Sequence, residues 1–143
     1  MATMQLEIIT AERVVYSDEV EAVVAPGIEG DLGILPHHVA LMTVLRPGEL
    51  MIRKVGEENY LAVTGGFLEV MDNKVSILAD AAERSEEIDE KRAQEAVERA
   101  EERIRMRSSD VNLENALAQL RRAQVRVVVA RRRRPREERP RGS

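Results

Sequence analysis

Cysteine and tryptophan are absent from the 143 residues, and Tyr16, Tyr60 and Phe67 are the only large rings. Without thiols there is no disulfide framework, no thiolate nucleophile and no Cys-ligated zinc. An aromatic content of 2% leaves the core to aliphatic side chains and removes the stacking platforms that grip single-stranded nucleic acid. His37 and His38 are the only histidines. Neighbours on an extended chain point to opposite faces, and no Cys or His elsewhere completes a metal site. No apolar run approaches membrane-spanning length, and residues 1–15 carry acids where a secretory leader needs a basic start and an apolar block. These absences lead us to expect a soluble chain in the cytoplasm.

What is present fits one compact domain or two small ones, with 43% apolar and 34% charged residues. The net charge of −4 conceals an asymmetry. Residues 1–84 hold six basic and fourteen acidic side chains, net −8, whereas residues 85–143 hold sixteen basic and twelve acidic, net +4. From Arg121 onward ten Arg stand against Glu137 and Glu138, which suits a partner with an acidic surface.

Segments 4–10, 20–25, 48–55, 59–64, 67–70 and 74–79 are short, rich in Val, Ile and Leu, and bounded by turn residues, the punctuation of strands. Leu6 and Ile8 alternate with Gln5 and Glu7, Leu50 and Ile52 with Met51 and Arg53, and Asp72-Asn73 reads as a hairpin turn. Closely spaced strands without intervening helices predict an antiparallel sandwich or flattened barrel. Residues 26–38 contain three Gly and two Pro, predicting a loop at the sandwich edge with a tight turn at Pro26-Gly27. Gly65-Gly66 reads as a bulge or bend, since no Lys-Ser/Thr pair and no helix follow it.

The character of the chain changes at Ile88-Asp89-Glu90-Lys91-Arg92-Ala93. Asp89 is placed to cap a helix, with Arg92 one turn on; the pattern equally fits a plain cap beside a solvated arginine. Ala93, Ala96, Val97, Ala100 and Ile104 fall on one helical face, and Leu113, Leu117, Leu120 and Val127, with Ala116 and Ala123, form a second stripe. Residues 107–110 read as a connector, with Asp110 or Asn112 as the next cap, so the two helices form an antiparallel hairpin. Its narrow seams bury too little to be firmly stable alone. The domains are therefore 1–84 (β-sandwich), 85–130 (helical hairpin) and an Arg-rich tail, 131–143. Arg92, Arg99 and Arg103 share one face of the first helix, Arg122 and Arg126 one face of the second. Facing each other they would form a polyphosphate site through bidentate hydrogen bonds; facing solvent they would be relieved by Glu95, Glu98 and Glu102.

Four segments in order, 26–35 with Pro36 and His38, 41–48, 63–70 and 77–80, followed by a two-helix half of the right length, resemble the epsilon subunit of bacterial and chloroplast F-type ATP synthases over residues 1 to about 130. The resemblance implies an α+β chain, a flattened antiparallel β-sandwich followed by a helical hairpin, working without catalysis in the central stalk of a rotary motor. The sandwich would bind the gamma subunit and the ring of c subunits, coupling proton flow to ATP synthesis, with Asp31 and His38 in the rotor contact. The hairpin would inhibit ATP hydrolysis when extended along gamma toward the catalytic alpha and beta subunits, and fold back on the sandwich otherwise. Residues 88–93 match the family's ATP-binding pattern. The resemblance thus implies a regulatory, non-hydrolysed ATP, with or without magnesium, held by Glu83, Ile88, Asp89, Arg92, Ala93, Arg99, Arg122 and Arg126. It also implies a peripheral place on the cytoplasmic face of the membrane, with no membrane insertion and no nucleic acid. The alternative, a nucleic-acid or anionic-membrane binder, has only the basic run 131–141 behind it. An enzyme is the poorest reading, there being no P-loop and no nucleophile elbow.

Overall fold

A computed structural model describes residues 2–106 and 113–132. The connector at 107–110, the caps at Asp110 and Asn112, and the tail from residue 133 lie outside the described residues; Arg131, assigned to the tail from sequence, is instead the last residue of the second helix. The chain divides into two compact units, Met1–Arg84 and Ser85–Ser143.

The first unit is an eight-stranded β structure: β1 (Met4–Ile9), β2 (Val14–Val20), β3 (Ala22–Gly27), β4 (Gly30–Ile34), β5 (Leu41–Lys54), β6 (Glu57–Met71), β7 (Lys74–Ala79) and β8 (Ala82–Arg84). The strand order is β2-β1-β7-β6-β5-β3-β4, with β8 also on β6. Two long strands organise it. Residues 41–45 of β5 pair with 66–70 of β6, which continue into β7, β1 and β2; residues 47–54 pair with 57–64 of β6, flanked by β3 and β8. Each long strand thus serves both layers of the sandwich, and period-two alternation sends one side chain in two into the space between them. Leu6, Ile8, Ile34, Leu50, Ile52, Leu61, Leu68 and Ile77 fill that core.

The structure corrects the sequence reading in several places. One pairing, β1 with β7, is parallel, so the sandwich is not wholly antiparallel. The segments 59–64 and 67–70 are one strand. Pro26 and Gly27 end β3, and the turn falls at Ile28-Glu29, so most of the expected loop is the β3–β4 hairpin. Gly65 and Gly66, read as a bulge or a bend between strands, lie inside the single strand β6 with no shift of register, where its partner changes from β7 to β8. Asp72 and Asn73 do form the turn, with φ of 50° and 61°, the left-handed pair that a two-residue hairpin requires.

Near one edge, Lys54 of β5 is hydrogen-bonded to Asp18 of β2, and the Arg84 guanidinium lies 5.4 Å from the centre of the Tyr16 ring. The Lys54 hydrogen bond is the main cause holding the Asp18 carboxyl below its ordinary 3.8, and it raises the Lys54 ammonium above 10.5. The Asp18 contribution is therefore present above its unfolded value and lost as pH falls through the lower folded one; the Lys54 contribution is present below 10.5 and lost as pH rises. Asp18→Asn should flatten the acid limb of the stability–pH curve, measured by urea unfolding across that range. At Gly66, φ is 130° and an added Cβ would stand 2.1 Å from the Leu78 carbonyl oxygen. Gly66→Ala should cost about 3 kcal/mol or more, read from the urea midpoint.

Candidate functional site

The second unit opens with a single 3₁₀ turn, Ser85–Glu87, followed by α1 (Glu90–Arg105) and α2 (Leu113–Arg131). Asp89 caps α1: its backbone is extended, and its carboxylate accepts the Arg92 N–H at 3.1 Å. One orphan donor of the first turn is thereby satisfied. Ala93, Val97 and Ala100 bury the inner face of α1; Ala116, Ala123, Val127, Val129 and Ala130 are the buried residues of α2. Leu113, assigned to the second stripe from sequence, is 38% exposed, and Leu117 and Leu120 are half-buried. The small residues carry the seam and the leucines border it.

Two side-chain rungs set the pairing of the helices. Arg103 is hydrogen-bonded to Gln119, and at the other end Arg131 Nε lies 2.9 Å from Glu90 Oε2. At 100° per residue, Arg92, Arg99 and Arg103 lie within roughly 40° of one another on one flank of α1, and Gln119, Arg122 and Arg126 within roughly 60° on α2. The Arg103 rung shows that these flanks border the same edge of the hairpin. Antiparallel register then sets Arg99 level with Arg122, and Arg92 roughly 5 Å beyond Arg126 at 1.5 Å rise per residue. Arg92, Arg99 and Arg122 are exposed and Arg126 is half-buried. The other residues that helical periodicity places on this edge, Ala96 and Asn115, are uncharged. The opposite edge is a shallow groove lined by Glu90, Lys91, Gln94, Glu95, Glu98 and Arg131.

Of the eight residues the sequence nominates for ATP, the structure brings the four arginines to one edge. Asp89 sits at the adjoining helix start with one carboxylate oxygen engaged by the backbone. Ile88 and Ala93 are 1% and 0% exposed, so a purine ring would reach either only by displacing what covers it. Glu83 stands on β8, in the β unit, half-buried. Among the described residues no group of three or more acidic or histidine side chains is arranged to hold a metal. A magnesium ion would therefore have to be carried mainly by the phosphates it accompanied.

In the β unit, Asp31 is exposed on β4 and pairs with Arg46 at 2.8 Å. It borders a groove whose lining includes Ile28, Leu32, Leu41 and Met42. His38 lies in the loop before β5, its Nδ1 2.7 Å from the Val39 carbonyl oxygen. The backbone at His37 is left-handed, and its N–H donates to Asn73 Oδ1 at 2.8 Å, tying this loop to the β6–β7 turn.

Sequence reasoning missed a row of outward apolar side chains. Val44, Phe67 and Leu78 are cross-strand partners on β5, β6 and β7, and Ile9 of β1 follows Leu78. Phe67 and Leu78 are each more than half exposed. The signal was available: segments such as Leu41-Met42-Thr43-Val44-Leu45 are apolar on both alternating faces, as strands covered on both sides are.

Comparison with known proteins gives a consistent picture. The model of the ATP synthase delta/epsilon chain β-sandwich domain matches residues 3–85, and that of the long α-helix domain of the same chain matches residues 86–131. The ATP synthase epsilon chain of Herpetosiphon aurantiacus is 54% identical over 134 residues, covering 94% of this chain and 98% of the relative. That of Desulforamulus reducens is 43% identical over 128 residues, covering 90% and 97%. A chain of the Euglena gracilis mitochondrial ATP synthase superposes with a TM-score of 0.76 at 24% identity, over 87% of this chain and 79% of that one. At that identity the match speaks for the fold.

Capping gives a direct test of the helix start. Asp89→Ala should lower the stability of the hairpin by about 1 kcal/mol, whereas Asp89→Asn, which keeps an acceptor oxygen, should retain most of it. Thermal melting followed by circular dichroism of the full chain distinguishes the two.

Proposed function

Because the chain belongs to the ATP synthase delta/epsilon chain family, we propose that it is a regulatory epsilon subunit, seated in the central stalk of a bacterial F-type ATP synthase at the cytoplasmic face of the membrane. An epsilon chain is a non-catalytic subunit. Among the described residues no helix is long and apolar enough to cross a membrane. The β unit holds the subunit in place, and the outward row of Val44, Phe67 and Leu78 is the kind of dry surface a permanent protein partner covers. We assign that row to gamma, and the loop and groove around Asp31 and His38 to the c-ring.

The hairpin is the regulatory element. In its compact form it leaves hydrolysis free; opened and extended toward the alpha and beta subunits, it inhibits. ATP, bound and not hydrolysed, selects the compact form because only there do Arg92 and Arg99 of α1 meet Arg122 and Arg126 of α2 along one edge. That shared edge carries the reading. Guanidiniums drawn from two helices to one edge suit an anion, and phosphate oxygens match their fork. Asp89 supplies an acceptor at the end of the edge. Ile88 and Ala93, which are buried, would join it by local rearrangement. A ligand that binds only one of two states shifts their balance by its binding free energy, about 2.7 kcal/mol at a concentration one hundred times its dissociation constant.

Millimolar ATP should therefore raise the melting temperature of the full chain, and Arg92→Ala/Arg126→Ala should remove the rise without phosphate release in either case. Hydrolysis by the assembled catalytic complex should be slower with the full chain than with one ending at Arg84. Equal rates would remove the inhibitory role, and an unchanged melting temperature the nucleotide.

A further inference from the structure

Glu90 stands in the first turn of α1 and Arg131 in the last turn of α2, and their 2.9 Å contact closes the end of the hairpin opposite the connector. The Glu90 side chain is 21% exposed and that of Arg131 58%, so the pair is shielded on the acid's side and open to solvent on the base's. Each charge also suits its own helix, an acid at an N-terminus and a base at a C-terminus, and antiparallel packing sets those two ends side by side. The groove that Arg131 shares also presents Glu95 and Glu98, with Lys91 as the only other cation lining it.

The helix that Arg131 terminates is poorly suited to hold itself together there. Val125, Val127, Val128 and Val129 are four β-branched residues in five positions, stiff side chains that disfavour helix. Packing explains Val127 and Val129, which are buried, but not Val128, which is 52% exposed. A segment whose local preference runs against its conformation is the first to loosen when its tertiary contacts go.

We propose that the Glu90–Arg131 pair is a clasp that fixes the weak end of α2 on the start of α1 and so sets the balance between compact and open hairpin before any ligand binds. The proposal builds on the regulatory reading of the hairpin above. Glu90 and Arg131 act as positioning residues: they lie on the groove edge, away from the arginine edge, and make no part of the nucleotide site. Breaking the clasp favours the open, inhibitory form; strengthening the helix beneath it favours the compact one.

The absence of cysteine allows a clean measurement. Spin labels at Glu102→Cys and Gln124→Cys of the full chain, both exposed positions on the two helices, report the helix separation as short- and long-distance populations. Glu90→Gln and Arg131→Gln should each lower the short-to-long ratio about two- to fivefold, the range for a partly exposed pair. The double variant should be little worse than either single one, and the exchanged pair Glu90→Arg/Arg131→Glu should recover only part of the loss, since each charge then opposes its own helix end. Val128→Ala should raise the ratio. High salt should lower it in the unaltered protein and leave Glu90→Gln where it is. Singles that leave the ratio unchanged, singles whose effects multiply in the double variant, or a long-distance population absent throughout would each overturn the clasp. ATP added to the same samples separates the two ideas. A ratio that follows the charges but not ATP retains the clasp and removes the nucleotide; the reverse removes the clasp.

Discussion

The helical unit depends on how little its two helices bury. The seam of Ala93, Val97 and Ala100 against Ala116, Ala123, Val127 and Ala130 consists of methyl and isopropyl groups. Each buried methyl contributes about 0.8 kcal/mol, while fixing each residue of backbone costs about 1–2 kcal/mol. A narrow aliphatic contact of this kind cannot dominate the balance. The decision passes to terms that are minor in a well-packed domain: a cap, an ion pair between helix ends, a row of like charges. The β unit is built on the opposite principle, with large aliphatic side chains buried between two layers and its ion pairs at the surface.

Charge is distributed around the hairpin so that its two edges respond to different things. One gathers arginines from both helices, a row that suits an anion. The other gathers acids with Arg131 among them and is already neutralised in part by the protein's own cation. On the proposed reading, compactness would draw support from within and from a bound anion, on opposite sides of the same seam.

Much of this was legible in the sequence, and the misses have physical causes. The helix start could be read because a cap is local: Asp89 before a run of good helix formers means the same thing wherever the helix lies. The two apolar stripes followed from period alone, although the leucines of α2 were given the role that alanines play, since periodicity identifies a face and not how closely a neighbour approaches. The β unit was recognisable in class but not in detail. A glycine pair inside a strand looks like a break, and nothing local says that Gly65 and Gly66 serve an exchange of partners. Parallel pairing of β1 with β7 joins residues some seventy positions apart, and no short-range signal encodes it. The arginine edge was visible as two separate faces; that they coincide depended on register, which Arg103 with Gln119 and Glu90 with Arg131 fix. The outward row on β5, β6 and β7 was missed although both alternating faces are apolar there, because an apolar residue on a strand reads as core from either face.

The long strands β5 and β6 carry one further consequence. Because each runs through both layers, the layers are joined by covalent backbone as well as by side chains. A twisting load applied to one layer passes along two continuous chains into the other, so the sandwich resists shear between its sheets and turns as a single stiff block. A component that must hand rotation from one neighbour to the next without slipping gains from such bracing, and it comes from where the strands bend rather than from any added bond.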